Sequence, residues 1–307
     1  MHELPVPPSG RQHVIRHDAQ TAVVVEGGGG LRTYRLDGVD VLDGYGPTEL
    51  CSGGRGQVLL PWPNRIRGGR YTWDGREHQL PVDETDLGNA IHGLTRWRSW
   101  QLRESGEDRV VLGVRLLARP GYPFSLDVTA AYALDRAGLT VTTTVDNVGA
   151  AAAPYGYGAH PYLTVGTPYV DTAVLRVPAA TYLPTDEAHV PAGRAAVAGT
   201  AYDFRAGRRI GDAVLDVAFT DLQRDAGGHA EVTVSAPDPG RSVTLWMDEH
   251  HRYVQVFTGD TLAADRRRRG IAVEPMTCPA NAFATGTDVR RLEPRDTITS
   301  RWGIRPG

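Results

Sequence analysis

The sequence contains no lysine: all 33 of its Lys and Arg residues are Arg. Schiff-base chemistry and pyridoxal phosphate attachment require a lysine amine, so both are excluded. A Walker A phosphate loop is excluded for the same reason. Cysteine is scarce as well. Cys51 and Cys278 lie far apart and form no CxxC or Cys/His spacing, so a structural zinc site is not expected. They read as two core thiols, with a disulfide or a catalytic thiol left open. A long apolar run is also missing. The longest uncharged stretch, Asn147 to Val170, is interrupted by Gly and Pro and does not read as a membrane helix. Met1-His2-Glu3-Leu4-Pro5 lacks the cationic start and apolar segment of a secretory signal. A soluble cytoplasmic protein is the expectation. No excess of either charge is present: the formal net charge is −3 with a pI near 6.4, which does not favour wholesale binding to nucleic acid. The one basic block, Arg266–Arg269, reads as a solvated loop between strands or as an anion or partner patch.

Helical periodicity is absent too; no 3.6-residue apolar stripe persists for three turns. Strand signals fill the chain instead. Leu139, Val141, Thr143 and Val145 alternate with Thr140, Thr142, Thr144 and Asp146, the period-two pattern of a half-buried strand. Thr21–Val25, Leu31–Leu36, Val110–Ala118, Ser125–Leu134, Val232–Ser235, Ser242–Trp246 and Tyr253–Thr258 read as strands as well. Asp74-Gly75 between Tyr71–Trp73 and Arg76–Leu80 predicts a hairpin, because Asp-Gly accepts the positive φ angles of a type I′ turn. Gly27–Gly30 lacks the GxGxxG spacing and a following helix, so it reads as a loop and not as a nucleotide site. No stretch alternates strand with helix. The 307 residues predict one all-β domain spanning 1–307, a large antiparallel β-sandwich with few short helices.

Four segments place polar residues among apolar or aromatic neighbours. In Trp62-Pro63-Asn64-Arg65-Ile66, ahead of Gly68-Gly69-Arg70-Tyr71, an Arg beside Trp and Pro can aim a fixed fork of donors at sugar hydroxyls or a carboxylate, or belong to a plain surface loop. In Asn89-Ala90-Ile91-His92-Gly93, His92 taken alone reads as a structural hydrogen-bonding residue or as a catalyst. In Gly158-Ala159-His160-Pro161-Tyr162, the proline biases His160 towards extended backbone and places it at a strand end or bulge. In Ile271-Ala272-Val273-Glu274-Pro275, Glu274 opposes an apolar face at the end of a strand, where a carboxylate is costly to bury unless paired or used. Asp216 in Leu215-Asp216-Val217-Ala218-Phe219 also opposes an apolar face, an alternation that a solvent-facing Asp would share. A His and a Glu without metal or cofactor can move protons in opposite directions, each transfer being worth ~10²–10⁴ in rate. No HExxH or comparable ligand cluster appears, and His250-His251 alternates faces if extended, so a metal site is not expected.

Together the segments resemble the aldose 1-epimerase (galactose mutarotase) family. The matching residues are Asn64-Arg65-Ile66 with Gly69-Arg70-Tyr71, Asn89 to Gly93 around His92, Gly158-Ala159-His160-Pro161-Tyr162, Asp216 in its Leu-Asp-x-x-Phe setting, and Glu274-Pro275. They fall in the family's order over residues ~55 to ~285. The stretch Thr277-Cys278-Pro279-Ala280-Asn281-Ala282-Phe283 looks like the bacterial branch. The resemblance implies a large antiparallel β-sandwich with an open cleft, no cofactor, and interconversion of the α and β anomers of a free aldose. By position Glu274 resembles the general base on the C1 hydroxyl and His160 the general acid on the ring oxygen, with His92 helping to hold that oxygen. Arg65, Asp216, Asn64 and Tyr162 resemble sugar-binding residues. Trp62, Tyr162 and Phe283 are candidates for the aromatic platform. A carboxylate of moderately raised pKa and a protonated imidazole suit opposite proton transfers near neutral pH.

Three other readings compete. An anionic sugar such as sulfoquinovose would require extra arginines at the cleft, for which Arg67, Arg70 and Arg96 are available. A non-catalytic carbohydrate-binding protein on the same fold would be marked by loss of Glu274 or His160, and both are present. A glycosidase would pair Glu274 with Asp216 across a glycosidic bond. The expected partner is a small-molecule sugar, with neither nucleic acid nor membrane, in a monomer or a homodimer.

Overall fold

Alternation along the chain becomes alternation of burial in the structure. In this computed structural model, which describes residues 6–237 and 240–307, strand Gly138–Asn147 buries Leu139, Val141, Thr143 and Val145 and half-exposes the residues between them. The first five residues, and with them the N-terminal reading, lie outside the described residues. The Asp74-Gly75 hairpin forms between Arg70–Trp73 and Arg76–Gln79, with φ of 48° and 74° at its two central residues.

Two large antiparallel sheets dominate. The first has nine strands, in the order Gln101–Ser105, Arg109–Leu116, Leu126–Asp135, Gly138–Asn147, Thr297–Pro306, Ser242–Met247, Ala230–Ser235, Val174–Arg176 and Arg208–Arg209. The second has eight strands and runs Ala195–Ala196, Ala179–Leu183, Asp216–Leu222, Tyr253–Phe257, Ile271–Met276, Gly158–Ala159 and Val58–Leu59, with Tyr162–Leu163 also paired to Ile271–Met276. Val128, Val141 and Leu245 of the first sheet share one apolar core with Phe219, Val254 and Val273 of the second. That is a β-sandwich. A four-stranded antiparallel sheet from Gln12 to Asp40 stands beside it. Among the described residues the helical elements are one short α-helix, Ala282–Thr285, and a 3₁₀ turn, Val170–Thr172. No helix among them is long and apolar enough to cross a membrane.

Two expectations change in the folded chain. Strand Ile271–Met276 is buried at every position, so Glu274 lies inside a central strand and not at its end. Arg266–Arg269 forms part of the loop into that strand but is not simply solvated. Arg266 pairs with Glu49 at 2.5 Å and Arg268 with Asp260 at 2.6 Å, while Arg267 and Arg269 are exposed.

Candidate active site

Sheet register brings together side chains more than a hundred residues apart. Gly158 pairs with Met276 and Tyr162 with Ala272, so midway between them position 160 lies opposite position 274. Residues directly opposite in an antiparallel pair project to the same face. Pro161 carries no amide hydrogen, so the ladder is interrupted at His160-Pro161, while the Val273 amide still donates to the Pro161 carbonyl at 3.1 Å. The result is a contact of 3.4 Å between His160 Nε2 and Glu274 Oε1, both residues almost wholly buried.

His92 arrives by a shorter ladder. Strands Arg65–Arg67 and Asn89–Ile91 pair with Arg65 opposite Ile91, and the His92 amide donates to the Asn64 carbonyl at 2.9 Å. Asn64 and His92 both take left-handed backbone, with φ of 55° and 61°. Non-glycine residues adopt that region at a cost, and such strain concentrates at functional sites. The turn sets the His92 ring edge-on to His160, with centroids 5.3 Å apart. Glu274 Oε2, His160 Nδ1 and His92 Nδ1 are buried and find no hydrogen-bond partner among the described residues.

Arg65 is fixed by carboxylates. Its Nε lies 3.0 Å from both Glu84 oxygens and its Nη1 3.6 Å from Asp216 Oδ2. Buried Asn89 donates to Glu84 Oε2 at 2.8 Å, so the segment around His92 also orients Arg65. Asp216 accepts from Gln255 Nε2 at 2.6 Å and lies 3.3 Å from His189 Nδ1. The cleft has a volume of about 360 Å³, within the ~300–1,000 Å³ of small-molecule sites. His92, His160, Arg65, Asp216 and Glu274 all line it, together with Asn64 and Tyr162. A larger groove of about 600 Å³ lies elsewhere, with Arg32, Arg241 and Arg269 in its wall but no histidine or glutamate.

Burial governs the protonation of the central pair. The Glu274 carboxyl is pushed well above the usual carboxylate range by desolvation and then by the Asp216 charge. The His160 imidazole is pushed down by desolvation and then by the Arg55 guanidinium. His92 is likewise lowered by burial and then by His160. Burial in the unliganded cleft therefore works against the protonated imidazole expected from the sequence. Burial shifts both groups of the pair towards their neutral forms, the protonated carboxyl and the uncharged imidazole.

The aromatic candidates separate. Trp62 and Phe283 are core residues, 5.8 Å apart, and neither lines the cleft. Tyr162 does line it, but its hydroxyl donates to the Gly53 carbonyl at 2.9 Å and its ring lies parallel to His160 at 5.0 Å. Trp97, largely exposed, and Phe257 are the other cleft aromatics. Sequence reasoning passed over Trp97 because Arg96-Trp97-Arg98 has the look of a solvated loop. Glu84, Gln255 and His189 were missed too, since only tertiary pairing links them to Arg65 and Asp216. Of the arginines available for an anionic sugar, only Arg96 lines the cleft, donating to Asp83 at 2.9 Å. Arg67 pairs with Asp186, and Arg70 donates to Gln79 on the hairpin. Cys51 sits at the cleft rim with its thiol raised to about 11 by burial, which disfavours the nucleophilic thiolate. Cys278 is a buried free thiol. Among the described residues no three His, Cys, Asp or Glu side chains are grouped to hold a metal ion.

The sequence pattern of the aldose 1-epimerase family matches residues 11–305. An uncharacterized Escherichia coli protein, YihR, is 37% identical over 273 residues, covering 89% of this chain and 85% of its own length. Human galactose mutarotase is 27% identical, over 72% of this chain and 66% of its own. Among solved structures, a GalM/aldose epimerase homologue from Caenorhabditis elegans superposes with a TM-score of 0.86 at 16% identity, covering 97% of this chain and 98% of that one. A galactose 1-epimerase from Lactobacillus acidophilus gives 0.80 at 24% identity, covering 96% and 94%.

Proposed function

The chain belongs to the aldose 1-epimerase family, and from that premise we propose that it is a mutarotase interconverting the α and β anomers of a free aldose. The observation that carries this reading is the 3.4 Å approach of His160 Nε2 to Glu274 Oε1 at the cleft. The C1 hydroxyl and the ring oxygen of an aldopyranose sit on one carbon. An acid and a base that serve both must therefore open onto one small volume, as these two side chains do.

In the ring-opening step Glu274 takes the proton of the C1 hydroxyl while His160 protonates the ring oxygen, and the C1–O5 bond breaks to give the open-chain aldehyde. His92 helps hold the ring oxygen, and Arg65, Asp216 and Asn64 orient the hydroxyls. Rotation about C1–C2 and the reverse transfers close the ring on the other carbonyl face. After opening, the proton is on Glu274 and His160 is neutral. Burial favours that same protonation state in the free cleft, so ring opening is preceded by passage of the proton from Glu274 to His160 across their 3.4 Å contact once the sugar is bound. Proton transfer between positioned groups is worth ~10²–10⁴ in rate at each centre.

Glycoside hydrolysis finds less support, because both oxygens of Asp216 are engaged by Gln255, His189 and Arg65. Arg96 gives an anionic sugar a foothold, since a sulfonate or carboxylate could replace Asp83 as its partner. NMR exchange on freshly dissolved pure anomers of galactose, glucose and sulfoquinovose tests the proposal. Wild type is expected to accelerate exchange of at least one sugar, and His160→Ala and Glu274→Gln to lose ~10²–10⁴ of that acceleration. Sugar binding with no acceleration of exchange, alike in wild type and Glu274→Gln, would instead identify a binding protein.

A further inference from the structure

We infer that Arg55, behind the cleft wall, is a positioning residue that acts on the reaction through Tyr162 and His160. This rests on the mutarotase reading. Arg55 is 2% exposed, and a guanidinium that deep gives up its hydration at a large cost. The protein compensates it sparingly. Nη2 meets Asp43 Oδ2 at 3.0 Å, Nη1 donates to the Ser52 carbonyl at 3.2 Å, and Nε has no hydrogen-bond partner among the described residues. An apolar side chain in the same volume is often neutral or stabilising, so packing alone gives a weak reason for an arginine here.

The remaining contact points to the cleft. The Arg55 guanidinium carbon lies 4.3 Å from the Tyr162 ring centroid, a cation–π contact, and Tyr162 is parallel to His160 within 12°. The turn carrying Arg55 also touches the imidazole, because a Cβ on Gly54 would come within 2.8 Å of His160 Cδ2. Arg55 does not line the cleft, so it meets the substrate only through these neighbours.

The charged and titratable groups around His160 are Glu274 on the paired strand, His92 across the ladder, Tyr162 on its own segment, Arg55 with Asp43 behind it, and Arg65 and Arg96 in the opposite wall. Of the cations, Arg55 weighs most on the imidazole, and it is not among the groups that shift Glu274. Its field therefore makes the imidazolium a stronger donor to the ring oxygen. Arg266, 3.7 Å from Asp43 Oδ1, completes the row of charges.

The test removes the buried pair together, Arg55→Met with Asp43→Asn, so that neither charge is left alone. Imidazole NMR and the acid limb of kcat/KM should both show His160 taking up its proton about one pH unit higher than in wild type. Arg55→Lys, which keeps the charge, should restore the wild-type limb. Asp43→Asn alone should move the limb the other way, and it provides the reading should the double variant fail to fold. An unmoved His160 titration and limb in the double variant, or an upward move in Asp43→Asn, would overturn the assignment. If wild type accelerates no sugar, the mutarotase reading fails, and the NMR titrations still decide whether Arg55 acts on His160.

Discussion

At the scale of the residue, the cleft depends on side chains that are missing. Gly54 holds φ at +71°, and a methyl group there would approach His160 Nε2 to 3.3 Å and Cδ2 to 2.8 Å. Gly54→Ala is expected to turn the imidazole away from Glu274 and to lower kcat/KM by ~10–100-fold, as small misplacements of a proton donor do. Gly211→Ala is the control, because Gly211 has a similar φ of +60° and nothing within 4 Å. Equal losses of anomer exchange in the two variants would assign the effect to backbone strain. His160 and Glu274 could be read in the sequence because each is a titratable residue held extended before proline. Arg55 could not, since Gly54-Arg55-Gly56 presents as an ordinary turn and only the fold shows the guanidinium buried against Tyr162.

At the scale of the element, strand existence was legible and strand pairing was not. Alternation predicts Gly138–Asn147 as a strand, but nothing local places Thr297–Pro306 between it and Ser242–Met247. The site rests on that kind of long-range register, since the Gly158 and Tyr162 pairings bring His160 to Glu274. The ladder of Arg65–Arg67 with Asn89–Ile91 has its own consequence. Glu84 takes both of its contacts from this ladder, Arg65 at 3.0 Å and Asn89 at 2.8 Å. Hydrogen bonds to charged groups are worth about 1.5–3 kcal/mol. Glu84→Gln should therefore free Arg65 and raise KM by ~10-fold or more while kcat changes little, the signature of lost uniform binding. Steady-state exchange kinetics separate the two parameters. A fall in kcat with KM unchanged would show that Arg65 serves the chemical step instead.

At the scale of the whole molecule, the site carries a cost in stability that pH should reveal. The Glu274 carboxyl is held well above its ordinary pKa by burial. Below the ordinary carboxylate value of about 4.3, folded and unfolded chains both keep the proton, and Glu274 costs nothing. Above it the unfolded chain releases the proton and the folded chain retains it. Stability therefore declines with rising pH until the folded value is passed. His160 acts in the opposite direction, since its lowered value makes the folded chain resist protonation below about pH 6.5. Glutamine has the size of Glu274 and no proton to release. Glu274→Gln is thus expected to melt above wild type at pH 7–8, by about 2–4 °C for each kcal/mol relieved, and to converge with wild type near pH 4. Melting curves across that range, with exchange rates measured on the same preparations, should show a variant that is more stable and nearly inactive. Superimposed melting curves at pH 8 would show that Glu274 is ionised in the folded protein at little cost. The shift of the pair towards its neutral forms, and the passage of a proton from Glu274 to His160 before ring opening, would then be wrong.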